Sequence, residues 1–182
     1  MRLLVWLIAG VLLGIAIHIT VILTLPALAT DTLWSRLAAP LEPNRVEVLP
    51  AIAPGAPNPL GLDPLLSYAV CRINLGAGPG IVNGTLPDAA WSIAVFDPDG
   101  TVIYSTTNSQ AIGKNLNVGI FDADQTRLLA EQKIDIADGL LIVGADSEDV
   151  LVVVRLEPPH PAVRARLEQT LSRIKCSNLP LS

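Results

Sequence analysis

Three regimes of hydrophobic patterning follow one another along the chain. From Leu3 to Ala29 no side chain is charged, and the run is flanked by Arg2 and Asp31. Next comes a stretch in which Pro40, Pro43, Pro50, Pro54, Pro57, Pro59 and Pro64 interrupt any periodicity. Beyond Leu66, short apolar runs alternate with turn residues, the signature of strands joined by tight connections.

The alternating region yields a series of elements. Leu66 to Leu75 predicts a strand, with Tyr68, Val70 and Arg72 on one face and Ala69, Cys71 and Ile73 on the other. The run Gly76-Ala-Gly-Pro-Gly80 ends it. Strands over Ile81–Leu86, Trp91–Phe96 and Thr101–Thr106 follow, the last two forming a hairpin because Asp97-Pro-Asp-Gly100 supplies turn geometry. Asn115–Phe121 is a weaker strand. Asp122 to Lys133 reads as a helix with a capping box, since Gln125 stands three residues after Asp122. Leu140–Ala145 and Val150–Leu156 are apolar on both faces and predict central strands, with Asp146-Ser-Glu-Asp149 as the hairpin between them. Pro161 opens a final helix that buries Val163, Leu167, Leu171 and Ile174 and leaves Arg164, Arg166 and Arg173 outside.

The expected fold is therefore α+β and β-rich: a transmembrane helix (1–30), a proline-rich linker (31–62), and a mainly antiparallel β domain (63–177) with two peripheral helices. Proline at this density excludes helix and central strand. What it leaves is a semi-extended segment rising up to about 3.1 Å per residue. The segment either spaces the domain from the bilayer or lies across the domain's surface; it is read here as a linker.

The first stretch has two readings. Ala27-Leu28-Ala29 fits a signal-peptide cleavage site. The apolar core from Leu3 to Leu25 is a full membrane span and overlong for a signal, which favours an uncleaved anchor. Trp6 and Trp34 lie near its ends, where indole favours the headgroup layer. Arg2 and the N-terminal amine place the start on the cytoplasmic side and everything after about Leu25 outside. For a bacterium this means an inner-membrane, single-pass protein with a periplasmic domain. Gly10, Gly14 and His18 recur every four residues and share one helix face, which allows close packing of two such helices and hence a homodimer through the span. The simpler explanation is that glycine is common in membrane helices.

Charge and cysteine content narrow the classes. The chain of 182 residues carries a formal net charge of −5. Acids outnumber bases about three to one between Asp88 and Glu157, while Arg164, Arg166, Arg173 and Lys175 make the last segment basic. No basic patch of the kind nucleic acid requires is present. Cys71 and Cys176 are the two cysteines. In an oxidising compartment an even count points to one disulfide; the alternative is a buried Cys71 and a free Cys176.

The chemistry-bearing motifs are sparse. The Gly76–Gly80 loop is followed by a strand, not by the helix N-terminus that would receive a phosphate. Asp97 and Asp99, or Asp146, Glu148 and Asp149, lack the spacing of a calcium loop and suit hairpin tips. His18 lies in the span, and His160 between Pro159 and Pro161 suits a helix N-cap. No Gly-x-Ser-x-Gly elbow occurs. No catalytic, cofactor-binding or metal residue is assigned, no cofactor is expected, and an enzyme is disfavoured.

The stretch Asp63-Pro-Leu-Leu-Ser-Tyr-Ala-Val-Cys-Arg72, then Gly78-Pro79, Ala90-Trp-Ser-Ile-Ala-Val-Phe-Asp97 and Val102-Ile-Tyr-Ser105, resembles the small membrane-anchored members of domain-of-unknown-function family 1254. The likeness continues through Leu128–Lys133, Val150–Arg155 and Cys176. It implies a β-rich envelope domain of alphaproteobacterial type and a companion protein from uncharacterised family 1214, and it implies no catalytic residues. A second, partial likeness runs over Phe96-Asp-Pro-Asp-Gly-Thr-Val-Ile-Tyr-Ser105 and Ile112-Gly-Lys-Asn-Leu116, which is similar to the ligand-binding half of extracytoplasmic Cache sensors. The first expectation is thus an envelope protein acting by protein interaction. The alternative is a periplasmic small-molecule-binding accessory sensor, with Trp91, Tyr104 and Lys114 as its pocket residues.

Overall fold

The uncharged run forms one helix, α1 (Arg2–Leu28). Its segment Arg2–Leu25 is long and apolar enough to cross a membrane, and none of it is buried by protein. Its hydroxyls close on the helix itself: Thr20 Oγ1 donates to the Ala16 oxygen at 2.8 Å and Thr24 Oγ1 to the Thr20 oxygen at 2.9 Å. Such back-bonding satisfies polar groups that hydrocarbon cannot. In this computed structural model the described residues are 2–28, 32, 34–109, 115–132 and 139–179.

A second compact unit spans Leu33–Ser182. Its strands are β1 (Val46–Val48), β2 (Ser67–Asn74), β3 (Gly80–Thr85), β4 (Ala90–Phe96), β5 (Val102–Thr107), β6 (Asn115–Phe121), β7 (Leu141–Gly144), β8 (Asp149–Glu157) and β9 (Lys175–Asn178). The helices are α2 (Ala123–Gln132) and α3 (Arg164–Leu171). A five-stranded sheet has the order β1-β2-β8-β4-β5, and a four-stranded sheet the order β7-β6-β3-β9. All pairings are antiparallel except β6 with β7. The fold is β-rich α+β, as the patterning predicts.

Alternation along β2 explains how the sheets stack. Ala69, Cys71 and Ile73 point between the sheets, where Val82, Ile93, Val118, Ile120, Val152 and Leu156 complete one buried cluster. Tyr68 and Val70 point to the opposite face and join Leu151 and Val153 of β8 in a second cluster. Both faces of β2 and β8 are therefore covered, which accounts for their near-continuous apolar runs.

What covers the outer face corrects the linker. Leu37, Ala38, Leu41 and Leu49 are buried there, with Trp34, Leu60, Leu62 and Leu66 packed beside them. A single π-helical turn (Trp34–Ala38) starts the segment, and β1 pairs with β2 through Val46↔Cys71 and Val48↔Ala69. The proline-rich stretch thus lies across the sheet and belongs to the domain, which begins near Leu33 rather than Leu62. Its leucines fall at irregular intervals between prolines, so neither the helical nor the strand period reveals that they pack.

Further corrections concern the C-terminal half. β8 is central and buried as expected, whereas β7 is an edge strand with Leu141 and Ile142 exposed. Residues 146–149 are no hairpin, because β7 and β8 lie in different sheets. β7 runs parallel to β6, with α2 in the connection between them, as parallel neighbours require. The final helix begins as a 3-10 turn (Pro161–Val163), with His160 Nδ1 accepting from the Ala162 amide at 3.1 Å. Leu167, Leu171 and Ile174 are buried as the stripe predicts. Arg164 is no solvated cation: it donates to the oxygens of Pro64, Leu65 and Leu66.

Candidate functional site

Cys71 of β2 and Cys176 of β9 form a disulfide, with Cα atoms 6.6 Å apart. Since β2 and β9 belong to different sheets, the bond closes the sandwich across its core. Gly10, Gly14 and His18 lie on α1, and a Cβ added at either glycine would meet nothing within 4 Å. That face is open for a neighbouring helix.

The pocket triad behaves differently. Trp91 is 5% exposed and packs in the inter-sheet core, and Tyr104 lies partly buried against the same cluster. Tyr104 is opposite Val95, four residues along β4 from Trp91, or about 13 Å at strand rise. Both serve the core; Lys114, with Ile112 and Gly113 of the Cache likeness, lies outside the described residues.

A polar network surrounds the turn between β2 and β3. Arg72 pairs with Asp149 through Nε and Nη2 at 3.2 and 3.3 Å, and its guanidinium lies 5.6 Å from the Trp34 ring centre. Asn74 Nδ2 donates to the same carboxylate. The Leu75 amide donates to the Glu148 oxygen at 2.6 Å, while Gln125 Nε2 donates to the Leu75 oxygen at 2.7 Å. Asn178 Nδ2 donates to the oxygens of Asn74 and Gly78. The predicted capping box is present: the Gln125 amide donates to Asp122 Oδ1, and the Asp122 amide to Gln125 Oε1. Side chains from β9, α2 and β8 thus hold one glycine-rich turn in place. Chemically this is a staple, with its donors committed to backbone oxygens and a structural carboxylate. Among the described residues no group of three or more His, Cys, Asp or Glu could hold a metal ion.

A groove of about 460 Å³ that the sequence pattern does not announce runs along β1, walled by Pro40, Leu41 and Ser172. Glu42, Arg45 and Glu47 bring charge to it. Arg45 Nη1 donates to Glu42 Oε2 at 2.7 Å, both side chains being 73% exposed. The hydrogen bond to Glu42, then the charge of that carboxylate, raise the Arg45 pKa above its ordinary value. The only sequence signal for this edge was the alternating Arg45-Val-Glu-Val48, hidden inside the proline-rich stretch.

No family model matches the chain, and no curated protein does. Among solved structures, the VPA0106 protein of Vibrio parahaemolyticus shares the fold with a TM-score of 0.59 at 13% identity, over 80% of this chain and 33% of that one. The chain thus spans about a third of that protein's length. An uncharacterised protein from Burkholderia cenocepacia aligns over 61% of this chain and 36% of its own at 15% identity, with a TM-score of 0.33 that carries no argument. The likeness to the Vibrio protein is one of fold alone; the two sheets and the disulfide that joins them are read from this chain itself.

Proposed function

We propose that this chain is a single-pass inner-membrane protein whose β domain works in the periplasm by contacting other envelope proteins. The observation that carries this reading is the Cys71–Cys176 disulfide in a chain that also has an apolar helix of membrane-spanning length. A disulfide that closes the core persists in an oxidising compartment, outside the cytoplasm. Arg2 then sits on the cytoplasmic side of α1. The domain's polar network is spent on its own turn, which favours a scaffold for contact over a reaction centre. The resemblance to family 1254 supports the same reading and points to a companion of family 1214 as the partner. The open Gly10–Gly14 face offers a second contact, between two copies of α1. Replacing both glycines by Ile should weaken cross-linking of α1 in membranes, and unchanged cross-linking would remove that contact from the account.

Native mass spectrometry of the full-length protein, gently extracted from its own membranes, tests the proposal. A stoichiometric second protein supports it. A lone chain carrying a bound metabolite would replace it with the sensor reading, and a lone empty chain would contradict it.

A further inference from the structure

The open edge of the five-stranded sheet is written in a self-complementary pattern. Leu49 donates its amide to the Tyr68 oxygen at 2.9 Å, and Glu47 is opposite Val70 in the β1–β2 ladder. In an antiparallel ladder, residues alternate between bonding one neighbour and the other. The amides of Glu47 and Leu49 therefore point to β2, while those of Val46 and Val48 point away, into the groove beside β1. Unpaired strand edges are templates for adding another strand.

The side chains specify which strand. Arg45 and Glu47 are exposed, whereas Val46 and Val48 pack against the inter-sheet core. If a second Arg45-Val-Glu47 is laid antiparallel with Val46 opposite Val46 of the second copy, each Arg45 meets Glu47 of the other copy. The arrangement uses the outward amide and carbonyl of both Val46 residues. Shifting the register to bring Glu47 opposite Glu47 of the second copy sets like charges face to face, which is unfavourable. Within its own chain Arg45 bonds Glu42, and both side chains are exposed beside this edge.

We propose that β1 is a homotypic docking edge, at which two copies of this chain join their five-stranded sheets through antiparallel β1–β1 pairing centred on Val46. The proposal deepens the interaction reading by naming one partner as a second copy.

Two differently tagged full-length copies, co-expressed in membranes, test it. Opposed non-hydrogen-bonded residues in such a pair sit about 4.5 Å apart at Cα, within disulfide range. One copy with Arg45→Cys and the other with Glu47→Cys should cross-link several-fold better than two Arg45→Cys copies. Charge reversal gives the second arm, in copies that also carry Gly10→Ile and Gly14→Ile to remove the α1 contact: Arg45→Glu or Glu47→Arg alone should reduce co-capture several-fold, and the double reversal should restore it. These positions are exposed, so folding is not at stake. Equal cross-linking of mixed and like pairs, or co-capture indifferent to charge reversal, overturns the β1 pairing. A different stoichiometric partner in the mass spectrum would still leave the interaction reading standing, so the two failures are distinguishable.

Discussion

Cys71 and Cys176 join the second strand of one sheet to the last strand of the other, across 105 residues of sequence. Both are buried in the inter-sheet cluster, so the bond lies within the core and not at its rim. A loop of that length contributes on the order of 4–5 kcal/mol in the chain-entropy model. Cys176→Ala in the full-length protein should therefore lower unfolding stability by about 2–5 kcal/mol. Urea titration followed by tryptophan fluorescence checks this, and a shift below 1 kcal/mol would mean that the sheets hold together without the bond.

The proline-rich segment makes a separate prediction. Leu41 is 7% exposed under the outer face of the five-stranded sheet. Leu41→Ala should cost about 2–5 kcal/mol, the range for truncating a buried leucine. A free spacer would show no change in the same titration.

Gln125 bridges two elements, accepting from the Asp122 amide and donating to the Leu75 oxygen. Gln125→Ala strands a buried carbonyl as well as removing part of the cap, and should cost about 1–3 kcal/mol. Asp122→Ala removes only the cap and should cost about 1 kcal/mol. Because both residues belong to one bonded unit, the double variant should fall short of the sum of the singles. Strict additivity in thermal unfolding would show that the two bonds act independently.

A close approach at Gly80 gives a fourth test. A Cβ there would lie 2.8 Å from Ile73 Cγ2 and 3.3 Å from Ile73 Cδ1. Gly80→Ala should destabilise by about 1–3 kcal/mol through overpacking. Ile73→Ala in the same chain should recover part of that loss relative to Ile73→Ala alone. No coupling between the two would mean that the strain falls elsewhere.

Much of the fold was legible where local chemistry and burial agree. The β4–β5 hairpin follows from Asp97-Pro-Asp-Gly100, where the Asp97 amide donates to the Thr101 oxygen at 3.0 Å. The cap of α2 follows from Asp122 and Gln125, and β8 from an apolar run long enough to be covered on both faces. Legibility ended where tertiary partners decide. The run Leu141-Ile-Val143 reads as central, yet an apolar strand gives no sign of whether it has one neighbour or two. The strand–helix–strand order from β6 through α2 to β7 did carry the signal for a parallel pair. β9 is polar except for Cys176, and its pairing is supplied by β3. The turn staple escaped because Asn178 and Asn74 lie 104 residues apart in sequence. The groove along β1 escaped because prolines on both sides masked the four alternating residues Arg45 to Val48.

The account rests on a full-length chain whose disulfide-closed domain lies outside the cytoplasm. The most direct measurement is the intact mass of the protein from its own cells, acid-quenched and alkylated before and after reduction. The account predicts a mass that includes residues 1–29, no alkyl group before reduction and two after it. A chain lacking those residues, or one carrying two alkyl groups without reduction, would contradict it.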